Sequence, residues 1–365
     1  MMTSFPSLFP CFHVADYHPK KAKFSNIKVN GNPSFSKSKI HEALSHKKGG
    51  VSTCTRAYPS EKNPTNPATM LTKPQNYDEL VHGLITEEGG YKQIVAIRAY
   101  EMGPDKAATI QTIFNLLQNA AMCHSFFSGL IDGGSLTRGM RRHNLLWVVS
   151  TMQVEVHHYP AWGEIVEIET WIAAIGRIKI RRDWVIRSHL SGVVLATATS
   201  TRVLIDTKTK RVSKIPDEVR AEISPFLIEK QALKEDTSGK IEKLNDNAKY
   251  ASYNLKPMWS DLDLNYHVSN VHYIKWILEP IPQEIMKDHQ ISSMVLEYKR
   301  ECRTSDIVQS LCEPQEDAIV ACSKGEPFKC VHLLQIQGET DTKSGDIVRV
   351  RTLWKRKMST MPCST

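Results

Sequence analysis

An internal repeat constrains the fold of this chain more than any other feature. With Met152 set against Met294, Glu155 falls on Glu297, and Glu164-Ile165-Val166 falls on Asp306-Ile307-Val308. A stretch with apolar residues at helical spacing precedes each copy: "ATIQTIFNLLQNAAMCHSFF" (108–127) in the first half, and residues 268–279 in the second, where Val268, Val271, Ile274, Ile277 and Leu278 form the stripe. Strand-like segments follow in both halves. They are "LLWVVSTMQVEV", "EIVEIETWIAAI", "IKIRRDWVIR" and "VVLATATSTRVLI", then "SSMVLEYKREC", "DIVQSLCEP", "KCVHLLQIQ" and "IVRVRTLWKR". Each half thus reads as one helix followed by a mostly antiparallel sheet, an α+β unit used twice.

A long helix wrapped by a curled antiparallel sheet is the hot-dog arrangement, so two tandem hot-dog domains are expected, over 77–228 and 251–358. The polar, charged stretch at 229–250 reads as a linker. Hot-dog units commonly pair, which makes a homodimer a further expectation.

Composition bears mainly on the N-terminus. The 365 residues hold 47 Lys/Arg against 39 Asp/Glu, but residues 1–60 alone carry 9 of the former and only 2 of the latter, with 9 serines. The remaining 38 basic and 37 acidic residues nearly cancel, so the basic excess does not describe the folded body, and nucleic acid is not an expected partner. Residues 1–65 read as a disordered organelle transit peptide, without the apolar core of a secretory signal. No run of apolar residues is long enough for a membrane span. The eight cysteines are scattered without CxxC pairs, so neither a metal site nor a disulfide framework is expected, and no cofactor.

The chemistry concentrates in "SDLDLNYHVSNVHYIKWILE" (260–279). Ser260 and Asp263 fit a helix-capping box. Capping has no need of Asn265 or His267. Calcium fails, because the positions that require Gly and Glu in an EF-hand loop hold Tyr266 and His272. A helical zinc pair also fails, because His267 and His272 are five residues apart. An amide and an imidazole at a helix N-terminus do suit acyl chemistry, with N–H groups for an oxyanion and a ring for proton transfer. "YKREC" adds two candidates for base or nucleophile, Glu301 and Cys302. Cys302 with His267 and Asn265 would imitate a Cys-His-Asn set. Strand alternation separates the two: Cys302 shares a face with Met294, Leu296 and Tyr298, and Glu301 shares one with Glu297 and Lys299. Glu301 is favoured.

Together, "WSDLDLNYHVSNVHYIKWILE", "LEYKREC" with "DIVQSL", "NLLWVVSTMQVEV", "YPAWGEIVEIETW" and "RRDWVIR" resemble the plant acyl-acyl carrier protein (ACP) thioesterases, from about residue 77 to 313. The resemblance implies hydrolysis of fatty acyl-ACP to free fatty acid and ACP, terminating fatty acid synthesis in the plastid stroma. It implies a catalytic second half, with Asp263, Asn265 and His267 in a D-x-N-x-H pattern and Glu301 in R-E-C. Tyr266, Ser269 and Lys275 depart from the usual pattern. The subtype is mixed: "GLITEEGGYKQ" looks like the oleoyl type, and "SKIPDEVRAEISPF" like the saturated-acyl type. The alternatives are a non-catalytic acyl-ACP-binding member and a hot-dog 3-hydroxyacyl-ACP dehydratase.

The first half is expected to be catalytically silent. Tyr159 falls on Glu301, and aligning Asp105 with Asp263 puts Ala107 and Thr109 at the positions of Asn265 and His267. Its helix would then shape the acyl pocket, with Met122 and Phe126 as lining residues. Arg177, Lys179, Arg181 and Arg182, with Arg138, Arg141 and Arg142 upstream, are the expected docking cations for an acidic carrier protein.

Overall fold

A computed structural model describes residues 83–131, 136–234, 239–263, 266–315, 318–338 and 345–357. The expected transit peptide lies outside the described residues, as does Asn265.

In the first half, β1 (Leu84–Ile85) and β2 (Tyr91–Ala96) lead into helix α1 (Ile110–Phe127). Short α2 (Arg138–Arg142) follows, then four long strands: β3 (Leu145–Val156), β4 (Ile165–Ile175), β5 (Lys179–Ser188) and β6 (Val194–Asp206). Strand β7 (Val212–Ser213) and helix α3 (Asp217–Ile223) close this half. The second half runs β8 (Tyr250–Leu255), α4 (His272–Leu278), α5 (Gln283–Asp288), β9 (His289–Tyr298), β10 (Val308–Pro314), α6 (Ala318–Lys324), β11 (Phe328–Ile336) and β12 (Asp346–Arg356).

All described strands join one antiparallel sheet in the order β1-β2-β4-β5-β6-β3-β9-β12-β11-β10-β8, with β7 on β6. The halves meet where β3 pairs with β9. In that register Met152 lies opposite Leu296 and Val154 opposite Met294. The pairing is unchanged when each residue is replaced by its counterpart 142 positions away, as a pseudo-twofold axis requires, and this is the offset read from the repeat.

Helix α1 begins where the Thr109 hydroxyl accepts from Thr112 N at 3.0 Å. It buries Ile110, Ile113, Phe114, Leu117, Ala120 and Ala121 at helical spacing. Trp184 on β5 donates its indole N–H to Leu117 O at 2.9 Å, fixing the helix against the sheet. Gly129, at φ 72°, ends it in the left-handed region.

The second helix is much shorter than its apolar stripe. It spans Val271 to Leu278 with cap, and the expected box at Ser260–Asp263 does not start it. Asp261 instead closes a single 3-10 turn (Trp259–Asp261), its Oδ2 accepting from Met258 N at 2.6 Å. The stripe misleads because Val268 is buried by a loop that bridges Leu262, not by a helix.

That loop occurs twice, 160 residues apart. A 3-10 turn stands at Ala99–Glu101 and at Trp259–Asp261. Bridges Met102↔Ala108 and Leu262↔Val268 follow. Gly103 N donates to Ala107 O at 2.9 Å, and Asp263 N to His267 O at 2.7 Å. Lys106 and Tyr266 both take left-handed φ, 61° and 60°. The loop correspondence is therefore Gly103 with Asp263 and Ala107 with His267, two residues away from the alignment of Asp105 with Asp263.

The 229–250 stretch is tied to both halves. Ala232 N donates to Asp183 Oδ2 at 2.7 Å and Ile241 N to Glu297 Oε1 at 3.0 Å, with Ile241 buried.

Candidate active site

His267 and Glu301 come together across the fold. His267 Nε2 lies 3.3 Å from Glu301 Oε2, with the side chains 22 % and 12 % exposed. The doubled loop positions His267: Asp263 Oδ1 accepts from its backbone N–H at 3.2 Å. Strand β9 ends at Tyr298, so the alternation expected through Cys302 stops three residues before Glu301. Its outcome holds through the loop that follows. Cys302 turns into the core, fully buried, with its N–H donating to the Tyr273 hydroxyl at 3.1 Å.

Electrostatics separates the two candidates further. Burial pushes the Glu301 carboxyl up to about 7, against the pull of Arg303, Lys210 and Arg300. Burial lowers the His267 pKa, with Asp263 opposing. Near neutrality the carboxyl therefore titrates beside a neutral imidazole, the condition for a general base. Glu301 Oε1 is buried with no hydrogen-bond partner among the described residues. Burial pushes the Cys302 thiol up to about 12, which removes its thiolate at neutral pH.

Glu301 and His267 face a cavity of about 360 Å³ that runs into the first half. Phe114, Met122, Val149, Met152, Ile172 and Trp184 supply apolar lining. Met122 therefore lies where expected. Phe126 does not: it follows Met122 by one turn on the same row, but at the last turn of α1 it is 52 % exposed and packs edge-on against Phe127. A second, polar cleft of about 470 Å³ shares Gln118, Asp263 and Val271 with the cavity. It is lined by Gln111 and Asn115 of α1 and by the ion pair of His272 Nδ1 with Asp261 Oδ1 at 3.3 Å. The heptad-like stripe of α1 gave no sign of this polar face's partner.

The basic run on β5 divides. Arg177 and Lys179 are exposed at the β4–β5 turn. Arg181 is buried in a two-pronged pair with Asp183, at 2.7 and 2.9 Å, so it is a core ion pair and not a docking cation. Arg182 is also buried, on the face that lines the cavity. Alternation along a strand covered on both sides accounts for both corrections. Arg138, Arg141 and Arg142 are exposed on or beside α2, where Arg142 pairs with Glu218.

Sequence spacing also missed a cluster. Cys312, Cys330 and His332 bring possible ligand atoms within 4.8 Å of one another, all buried, because β10 and β11 set Cys312 opposite His332. His332 Nε2 is already within 2.8 Å of Thr352 Oγ1.

A helix on a curled sheet, with a half-buried carboxyl–imidazole pair lining an apolar cavity, fits a hot-dog hydrolase of acyl thioesters. Family comparison agrees: the acyl-ACP thioesterase N-terminal domain matches residues 88–223, and the acyl-ACP thioesterase C-terminal domain residues 244–356. The chain belongs to the acyl-ACP thioesterase family.

Similar proteins include the chloroplastic palmitoyl-acyl carrier protein thioesterase of Arabidopsis thaliana, 40% identical over 305 residues, 80% of this chain and 72% of the relative. The chloroplastic dodecanoyl-[acyl-carrier-protein] hydrolase of Umbellularia californica is 40% identical over 76% of this chain and 70% of its own. The chloroplastic oleoyl-acyl carrier protein thioesterase 1 of Arabidopsis thaliana is also 40% identical, over 77% and 81%. Identity therefore does not sort this chain among acyl types. The solved 12:0-ACP thioesterase from Umbellularia californica superposes with a TM-score of 0.67 at 39% identity, covering 74% of this chain and 95% of that one.

Proposed function

We propose that this acyl-ACP thioesterase hydrolyses its substrate through Glu301 and His267, in the plastid stroma. The observation that carries the reading is the 3.3 Å approach of His267 Nε2 to Glu301 Oε2, with Oε1 left without a partner in the cavity wall. In the ionised form Glu301 takes a proton from water. The water oxygen bonds to the thioester carbonyl carbon, the C–S bond breaks, and the proton passes to the departing thiolate. His267 orients the carboxylate and shares the proton. Asp263 holds the His267 loop. Asn265 is proposed to act beside them, from the resemblance alone.

The apolar cavity takes the acyl chain, and the polar cleft beside Asp263 suits the amide-bearing arm of the carrier. Arg177, Lys179 and Arg138 remain the docking cations for the acidic carrier itself. The test is rates on acyl-ACP. Glu301→Gln should lose roughly 10²–10⁴-fold, the usual span for a removed general base. Cys302→Ser should lose little. An inactive Cys302→Ser beside an active Glu301→Gln reverses the assignment.

A further inference from the structure

Two cations of the acyl cavity, Arg182 buried and Arg202 half-buried, have no acid to answer them among the described residues. Buried guanidinium groups are normally paired, because an uncompensated charge inside a protein costs several kcal/mol. Arg181 obeys this rule through Asp183. Its neighbour Arg182 is 2 % exposed and meets only neutral acceptors. Its Nη1 donates to His124 Nδ1 at 2.8 Å and to Thr170 Oγ1 at 3.3 Å. His124 is itself held neutral by burial and by Arg182, its pKa pushed down to about 3. Arg182 Nε has no hydrogen-bond partner.

Arg202, on the adjacent strand, makes no side-chain hydrogen bond or ion pair among the described residues, and its Nε is enclosed and unpartnered. Ser200, 2 % exposed, also has an unpartnered hydroxyl. Strand register places the three together. Arg182 is opposite Ser200, and Arg202 is one row further along β6, opposite Ile180. All three line the same cavity as Glu301. Burial, and after it the charge of Arg202, lowers the proton affinity of Arg182.

The group lies away from the reacting end. The cations that act on Glu301 are Arg303, Lys210 and Arg300, not this pair. Strand β6, which carries Ser200 and Arg202, is two strands from β9 across β3, roughly 10 Å at the usual interstrand spacing, and β5, which carries Arg182, is one strand further, roughly 14 Å. Among the described residues, the acids that line the cavity, Asp263 and Glu301, both belong to the catalytic end.

We propose that Arg182, Arg202 and Ser200 form a subsite for a carboxylate at the far end of the acyl chain, so that the cavity accepts half-thioesters of dicarboxylic acids. A carboxylate there would receive the free Nε–H groups and the Ser200 hydroxyl, and would supply the missing counter-charge. An ordinary methyl terminus would leave all three unsatisfied, and a site built for hydrogen bonds discriminates against an analogue that lacks them. The inference rests on the reading of Glu301 and His267 as the hydrolytic pair, but binding tests it without turnover.

Calorimetry on the full chain with monomethyl dodecanedioate and with methyl dodecanoate, which has no carboxylate, reads the subsite directly. The half-ester should bind roughly 10- to 100-fold more tightly, as expected for charged hydrogen bonds. Arg202→Leu should erase that preference and Arg202→Lys should partly restore it. Turnover of ω-carboxyundecanoyl-ACP against dodecanoyl-ACP should show the same preference in kcat/KM. Failure to hydrolyse either thioester counts against the hydrolytic assignment and leaves the binding result to decide the subsite. Equal binding of the two esters, or a preference that survives Arg202→Leu, overturns the proposal.

Discussion

The two loops that enter the helices share one backbone and differ in chemistry. Each begins with a 3-10 turn, crosses a bridge, and places a residue at left-handed φ, Lys106 in one and Tyr266 in the other. In each, the residue that closes the bridge is fixed to the segment after the central strand. Ala108 N donates to Pro160 O at 2.8 Å, and Val268 N to Cys302 O at 3.4 Å. Beside those carbonyls stand Tyr159 in the first half and Glu301 in the second. Tyr159 donates its hydroxyl to Ile291 O at 2.7 Å, joining the halves. Glu301 meets His267, whose counterpart is Ala107. The duplicated geometry is a support for the site and supplies no reaction by itself. The half without acid or base keeps the longer helix and most of the cavity wall.

Breaking this contrast should produce effects of decreasing size. The largest is Glu301→Gln, with the loss in rate given above, whereas Tyr159→Phe should leave kcat within a few-fold. The tyrosine variant should instead destabilise, by about 1–2 kcal/mol for an orphaned buried carbonyl, measured by denaturant titration. A large rate loss from Tyr159→Phe would place chemistry in the silent half.

Changes at Met122 sharpen the comparison next. Substituting other apolar residues should shift the chain length of fatty acids released in bacteria expressing the protein, because Met122 lines the cavity and Phe126 does not. Equal product profiles for Met122 and Phe126 variants would contradict the cavity assignment.

A smaller effect concerns stability against pH. The folded-state pKa of Glu301 is raised from 4.5 to about 7, so the folded protein holds a proton that the unfolded chain releases. Stability from this group is thus present below about pH 4.5 and is lost as pH rises through about 7. Glu301→Gln removes the loss and should melt a few degrees above the parent at pH 8 but not at pH 4.5. The Tyr159→Phe shift should be the same at both. Smallest of all, salt should weaken turnover of acyl-ACP more than that of a carrier-free thioester, because Arg177, Lys179 and the cations near α2, of the expected docking set, are exposed for steering.

Much of this was legible in the residues. Alternation and the 142-residue repeat gave the strands and the β3–β9 symmetry, because register is set by side-chain pattern. Asn265 and His267 stood out because capping and metal binding left them unexplained, and strand alternation with the family motif favoured Glu301 over Cys302. The structure brings His267 and Glu301 within 3.3 Å. The short second helix was not legible, because a buried Val268 fits a loop as well as a helical stripe. The loop correspondence was misplaced by two residues, because Asp105 resembles Asp263 in type while backbone geometry pairs Gly103 with Asp263. The fates of Arg181 and Arg182 were hidden for another reason: a basic run shows charge, and only the packed sheet shows which face meets Asp183 and which meets a cavity.

The central claim is that Glu301 acts as the base, and the pH dependence of kcat/KM on acyl-ACP tests it most directly. With the Glu301 carboxyl held near 7 and His267 kept neutral by burial, kcat/KM should rise as pH increases through about 7 and then level. In Glu301→Gln, the residual rate should lose that step. A profile flat through pH 7 that climbs only in the alkaline range, with the climb abolished by Cys302→Ser, would contradict the account and assign the chemistry to the thiol.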